Sequence, residues 1–254
     1  MAFDIPKFII NLKKDIDKKE HMKSLCSKYK LNCNFIEAVY GKDLDDQAIA
    51  NVYDENEAIR VFKRSLTKGE IGCALSHLSV YQKIVDQNIE KAIIFEDDVE
   101  INDGFFDVIE SIEKFPNDWE LVLLGYHQKI IRKYFCCQLS LKDKYRLVRL
   151  SDIHTGAHAY LINFRGAKRL LSEAIILNQP IDHYTGDSKF VNLYGCSPRV
   201  VNVHNILSKV SSLTTDRNKI SKIKYPVYQR VFREIVKKPY VKYIKPFLNP
   251  PSYK

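Results

Sequence analysis

The run Lys91-Ala-Ile-Ile-Phe-Glu-Asp-Asp-Val99 passes from hydrocarbon to dense negative charge with no polar spacer. Ile93, Ile94 and Phe95 read as a strand buried on both faces, as in the middle of a parallel sheet. Such a strand delivers its charges to the carboxyl edge of the sheet, where open α/β sheets hold ligands. In extended backbone Glu96 and Asp98 point to one face and Asp97 to the other. Two carboxylates on one face repel unless a cation lies between them, and oxygen-only ligands favour a hard divalent ion, Mn²⁺ or Mg²⁺. The competing reading is three solvated acids at a strand end.

The flanking pattern is that of an α/β chain. Lys7–Leu12 reads as a first buried strand, Asp15–Lys30 as a surface helix carrying Ile16, Met22 and Leu25, and Asn34–Val39 as a second strand. This β-α-β opening implies a parallel pair with a right-handed crossover. Leu66–Leu78 opens a helix that runs to about Asn88, with Thr67 and Glu70 placed as a capping box. Gly69, Gly72, Ala74 and Ser76 are odd in a helix that needs only stability, since Gly costs ~1 kcal/mol against Ala, and such small residues let something approach it closely. A helix over Asp103–Lys114, a strand over Glu120–Gly125, strands at Tyr145–Leu150 and Ala157–Ile162, a helix over Phe164–Leu177 and a last strand over Cys196–Val203 complete the body. Residues 126–144 are basic and aromatic, as a flap or hairpin would be, and Pro180–Asp187 is polar and helix-breaking, as functional loops are.

A chain of 254 residues, 45% hydrophobic, is ample for a core, and no apolar run approaches the ~18 residues that span a bilayer. The amino terminus has Asp4 and too short an apolar segment for a signal peptide, so a cytosolic location is expected. Cys26, Cys33, Cys73, Cys136, Cys137 and Cys196 match no zinc spacing and read as small buried hydrophobes, with Cys136-Cys137 a conceivable redox pair. Of 40 Lys/Arg and 31 acids, eleven and one (Glu234) fall from Arg217 to Lys254, leaving 29 against 30 in the remainder. The net charge of +9 therefore sits in the tail, and a balanced body argues against a nucleic-acid groove. Val227, Val231, Phe232 and Ile235 recur at helical spacing among Arg230, Arg233, Lys237 and Lys238, and ring alternates with cation from Tyr240 to Phe247. Interfacial segments on anionic membranes have this character; docking on the body is the alternative. The expected division is 1–215 for the body and 216–254 for the tail.

Five blocks in order carry a resemblance: Ile9-Ile-Asn-Leu12, Leu66-Thr-Lys-Gly-Glu-Ile-Gly-Cys-Ala-Leu-Ser-His77, Ile94–Val99, Thr155–Ile162 with Gly166–Leu171, and Pro180-Ile-Asp182. The chain resembles glycosyltransferase family 25, which includes bacterial lipooligosaccharide galactosyltransferases and animal enzymes acting on collagen hydroxylysine. Lys13-Lys14 stands where the family commonly has arginine, replacing a bidentate phosphate fork by a point charge. The resemblance implies a GT-A-type, Rossmann-like mixed sheet flanked by helices, and a nucleotide-sugar donor. It also implies inverting transfer, of the β-1,4-galactosyltransferase type, from UDP-galactose to a lipooligosaccharide or lipid-linked acceptor, and the basic tail is expected to hold the chain on the inner face of the membrane.

On that basis Asp98 is expected to ligate the metal, manganese or magnesium, and Glu96 to hold ribose or the metal through water. Asn11 and Leu12 are expected against the uridine, Lys14 and Asp97 in the donor site, and Glu70 and His77, on one helical face at a spacing of seven residues, ordering its pocket. Asp182, with Asp187 second, is expected to take the acceptor's proton; both have a competing reading as helix caps. His204 is expected to complete the metal shell, against a purely structural role. Two other classes are weighed: a metal-dependent phosphodiesterase or nuclease, which usually gathers more carboxylates and histidines, and a non-catalytic membrane or RNA adaptor built on the tail.

Overall fold

Alternation along the first strand divides the molecule into two cores. β1 (Lys7–Asn11) sends Phe8 and Ile10 to one side and Ile9 to the other, and all three are buried. The structure, a computed structural model, describes residues 5–127, 138–142, 144–151, 153–207 and 231–240. Most of the expected flap, Cys136-Cys137 and positions 208–230 and 241–254, which include most of the expected tail, lie outside the described residues.

α1 (Ile16–Lys28) crosses from β1 to β2 (Cys33–Glu37), which pairs parallel to it as expected. Three short elements follow: a 3₁₀ turn, α2 (Asp46–Ala50) and α3 (Glu55–Phe62), the two helices capped by the Asp45 and Asp54 carboxylates. α4 (Lys68–Asp86) begins with the expected capping box, Glu70 N donating to Thr67 Oγ1 at 3.0 Å and Thr67 N to Glu70 Oε2 at 3.0 Å. β3 (Lys91–Glu96) returns parallel to β1, and Ile93, Ile94 and Phe95 are fully buried, at about 1.5–3 kcal/mol of hydrophobic stabilisation each.

The remainder is β4 (Val99–Ile101), α5 (Gly104–Glu110), β5 (Leu121–Gly125), β6 (Gln138–Ser140), β7 (Arg146–Arg149), β8 (Ala159–Asn163), α6 (Phe164–Glu173), α7 (Ile181–Thr185), β9 (Leu193–Ser197) and β10 (Val201–Val203). The main sheet has the order β2-β1-β3-β8-β5-β9-β7-β6, and β4 pairs with β10 separately. It is the expected mixed sheet flanked by helices. α4 and α6 cover the face of Phe8, Ile94 and Tyr160; Met22 of α1 and Phe105 of α5 cover that of Ile9, Phe95 and Leu161.

Several expectations change. β3 is parallel only to β1; its other neighbour, β8, is antiparallel, because burial on both faces selects apolar residues whatever the strand direction. The last strand is two strands, β9 and β10, since Pro198 has no N–H with which to continue the ladder. The 164–177 helix stops at Glu173, and Leu177 forms a parallel bridge to Tyr53. The 103–114 helix is shortened to α5 and a 3₁₀ turn at Ile112–Lys114. Pro180–Asp187 is no open loop: Pro180 caps α7, where its missing N–H costs nothing.

Candidate active site

β1, β2 and β3 run in one direction, so their carboxyl ends meet at one edge of the sheet. The segments that follow them, with the first half of α4, enclose a cleft of ≈ 200 Å³. Leu12, Lys14 and Lys18 line one wall; Val39, Tyr40 and Lys42 another. Gly69, Cys73, Ser76 and His77 form the helical wall, and Glu96, Asp97 and Asp98 the floor. Small residues on α4 are explained here. A Cβ on Gly72 would lie 2.6 Å from Gly41 N and 2.7 Å from Val39 O, so only glycine lets the loop after β2 rest on the helix. Ser76 fixes that loop, its Oγ accepting from Val39 N at 2.8 Å.

The acids do not alternate. The chain turns at Asp97-Asp98, so extended-strand geometry ends at Glu96. Asp97 and Asp98 consequently share a cation, and it is an ammonium: Lys18 Nζ of α1 donates to Asp97 Oδ1 at 2.9 Å and to Asp98 Oδ2 at 3.1 Å. Asn11 Nδ2 donates to Asp97 Oδ2 at 2.8 Å. Burial opposes the Lys18 charge, but the two carboxylates overrule it and hold the ammonium above the usual lysine range. Burial pushes Asp97 up despite Lys18, and burial together with the charge of Glu96 pushes Asp98 up. Glu96 turns away toward α4, its Oε1 3.7 Å from His77 Nε2. Burial works against its charge, and the His77 imidazole holds its carboxyl below the ordinary value.

The acids fit a hard cation. Asp97 has both oxygens engaged, whereas Asp98 Oδ1 is buried with no hydrogen-bond partner and is the oxygen left to offer. Lys14 Nζ sits 3.5 Å over the Tyr40 ring and brings a further positive charge to the cleft.

Of the residues expected from sequence, Leu12, Lys14, His77, Glu96, Asp97 and Asp98 come together in the cleft. Asn11 acts from beneath, through Asp97. The pairing of Glu96 with Asp98 is corrected to Asp97 with Asp98, the turn being the reason. Glu70 does not line the cleft and acts on it from a distance: its carboxylate folds back over the start of α4 into a buried two-bond pair with Arg64, at 2.7 and 2.8 Å.

The His204 amide donates to Asp98 O at 2.7 Å, but the ring does not reach the acids that line the cleft. Its Nδ1 accepts from Ile206 N and Leu207 N, Nε2 lies 3.6 Å from Glu100, and the ring packs edge-on to His21. Asp182, in the first turn of α7, and Asp187, whose Oδ1 accepts from Lys189 N at 2.9 Å, also stand outside the lining. Between them, Gly186 O accepts from His154 N at 2.8 Å.

Sequence reasoning missed Lys18, Cys73 and the loop around Tyr40. Lys18 sits in a charged run that reads as a solvated face. Only its place in the first turn of the helix that follows the first strand marks it.

His158, beside the same edge, is 3% exposed, and its Nε2 has no hydrogen-bond partner. Burial pushes its imidazole down to about 4. The folded form thus refuses a proton that the unfolded chain binds from pH 6.5 downward. The stability tied to neutral His158 is fully present above pH 6.5 and is lost as pH falls through 4, by about 3 kcal/mol in all. Chemical denaturation of wild type and His158→Leu at intervals from pH 7.5 to 4 should show wild type losing stability relative to the variant toward acid; a constant difference refutes the assignment.

A sequence model of glycosyltransferase family 25 (LPS biosynthesis protein) matches residues 4–185. Procollagen galactosyltransferase 1-A of Xenopus laevis is 30% identical over 194 residues, 72% of this chain and 31% of that protein. Procollagen galactosyltransferase 2 of Homo sapiens is 29% identical over 178 residues, 67% and 28% of the two chains. Inactive glycosyltransferase 25 family member 3 of Homo sapiens is 28% identical over 189 residues, 70% and 30%. The chain therefore spans less than a third of the length of these relatives. Among solved structures, a glycosyltransferase involved in the glycosylation of the major capsid of PBCV-1 is 11% identical with a TM-score of 0.33, covering 66% of this chain and 65% of that one. A197 from STIV is 11% identical with a TM-score of 0.38, covering 87% and 98%.

Proposed function

Since the chain belongs to glycosyltransferase family 25, we infer that it is a hexosyltransferase moving galactose from UDP-galactose, with inversion, onto a lipooligosaccharide or related glycan acceptor. One observation supports this most: the cleft at the carboxyl ends of three parallel strands joins a buried aspartate pair to Lys14, Lys18 and Lys42, the mix of charges that a metal-bound diphosphate requires. Galactosyltransferases among the relatives support the choice of sugar. Membership alone does not guarantee activity, because one relative is named inactive.

In this reading Leu12, Val39 and Tyr40 flank the nucleoside, and the three lysines face the diphosphate. Asp98, with Asp97 behind it, would hold Mn²⁺ or Mg²⁺. When bound, that ion neutralises charge developing on the departing diphosphate, more in the transition state than in the ground state. Asn11 fixes Asp97, and Lys18 keeps the two aspartates from repelling each other. The acceptor hydroxyl attacks the anomeric carbon from the face opposite the diphosphate, its proton passing to a carboxylate. Asp182 is assigned that role, since Asp187 already caps a backbone amide.

Incubation with a panel of UDP-hexoses and an oligosaccharide acceptor, with and without EDTA, tests the proposal. Galactose should be transferred only from UDP-galactose and only without chelator. Failure with every UDP-hexose sinks the donor assignment, and full activity in EDTA sinks the metal.

The tail is assigned to an anionic membrane surface. Residues 231–240 are helical and expose Val231, Phe232, Ile235, Val236 and Tyr240 beside Lys237 and Lys238. Among the described residues no helix is long and apolar enough to cross a membrane. Each basic residue near an anionic surface contributes about 1 kcal/mol. Phosphatidylglycerol vesicles should sediment the full chain but not one ending at residue 215, and equal sedimentation of both removes the tail from this role.

A further inference from the structure

Cys73 and His77 stand four residues apart on α4, one turn above another, and both face the cleft. Glu96, the last residue of β3, closes a triangle with them: the Cys73, His77 and Glu96 ligand atoms all lie within 4.8 Å of one another. His77 is fully buried, and its Nε2 has no hydrogen-bond partner. That orphan is costly unless something meets it. Glu96, at 3.7 Å, is too far for a hydrogen bond and close enough to share a cation.

The other ring nitrogen is already positioned. His77 Nδ1 lies 2.7 Å from Tyr160 Oη, which lies 2.6 Å from Tyr81 Oη. Burial keeps both phenols protonated above their ordinary range. When Nδ1–H donates to Tyr160 and Tyr160 to Tyr81, Nε2 presents a lone pair to Cys73 and Glu96. Metal-binding histidines are held in this way by a group behind the ring.

We propose that Cys73, His77 and Glu96 form a site for a thiophilic divalent cation of the zinc class, separate from the hard-cation position at Asp98, and that its occupancy opposes donor binding in the same cleft. The donor set decides the class: one thiolate, one imidazole and one carboxylate suit zinc, whereas the Asp97–Asp98 pair offers oxygen alone. Binding exchanges a proton for the metal. The Cys73 S–H bond breaks, the S–Zn bond forms, and one proton leaves to solvent. Cys73, His77 and Glu96 all line the cleft, so a metal held there and a nucleotide diphosphate would crowd each other. This second part rests on the proposed function; the first does not.

The test uses the full chain stripped of metal, with Co²⁺ as a spectroscopic probe and Zn²⁺ as competitor. One equivalent of Co²⁺ should give a sulfur-to-cobalt charge-transfer band in the near ultraviolet, displaced by one equivalent of Zn²⁺, with one proton released per metal. Cys73→Ser should abolish the band and weaken Zn²⁺ by about 100-fold or more, while Cys26→Ser leaves both intact. Tyr160→Phe should cost about tenfold in Zn²⁺ affinity. The metal-free melting temperature of Cys73→Ser should match wild type, which separates a lost ligand from a lost fold. A wild-type chain that takes up no stoichiometric Zn²⁺ at micromolar concentrations, or a Cys73→Ser chain that keeps the band, overturns the site. Zinc-loaded protein should bind UDP about tenfold more weakly. Stoichiometric Zn²⁺ on Cys73 with unchanged UDP affinity upholds the metal site and overturns its opposition to the donor.

Discussion

Asp98→Asn is expected to lower kcat/KM for galactosyl transfer by about 10²–10³-fold with little change in melting temperature. The substitution keeps the shape of a side chain whose Oδ2 accepts from Lys18 and whose Oδ1 is the buried, unpartnered oxygen of the cleft. It removes the charge at the point where a leaving diphosphate and its cation would meet. Folding should suffer little, because burial already disfavours the Asp98 carboxylate and Lys18 retains Asp97. Steady-state kinetics with UDP-galactose, paired with thermal unfolding, reads both quantities. Wild-type turnover in the variant refutes the assignment, and a collapse of melting temperature shows that the residue holds the fold instead.

Arg64→Ala should have the largest effect on stability, about 3–5 kcal/mol. Arg64 and Glu70 form two hydrogen bonds with 8% and 1% of their side chains exposed, so truncating the arginine leaves a carboxylate buried without its counter-charge. The same carboxylate caps α4, and α4 carries Cys73, Ser76 and His77, so the damage should reach the cleft. For a chain of this length the loss corresponds to a fall of about 10 °C in melting temperature. Arg64→Met combined with Glu70→Gln should recover most of it, since the buried charge is then gone. A single variant that melts with wild type shows that water reaches Glu70 and that the pair adds little.

Local pattern accounts for much of what is observed. The apolar run before Glu96, the Thr67–Glu70 capping box and the β-α-β opening depend on neighbours within a few residues, and each appears where the spacing puts it. The small residues of α4 signalled a close approach without identifying what approaches; the loop at Val39–Gly41 does, and no local rule names a loop some thirty residues upstream. The direction of β8 beside β3 was equally hidden, because full burial erases the alternation that would betray orientation.

The amino-acid order by itself determined that the acids after the buried strand, Glu96, Asp97 and Asp98, and the residues after the first strand, Leu12 and Lys14, reach the carboxyl edge of the sheet, whereas Lys18, Cys73 and the Tyr40 loop were not legible there. Tertiary structure alone decided what each of them touches. Asp97 and Asp98 meet Lys18 from 79 and 80 positions away, Glu96 meets His77, Glu70 is claimed by Arg64, and His204 turns to His21. Strand periodicity is a property of a few consecutive dihedrals, so it can be read along the chain. The partner of a charge is set by a turn at two residues and by the packing of a distant helix, and neither is written in the charge's own neighbourhood.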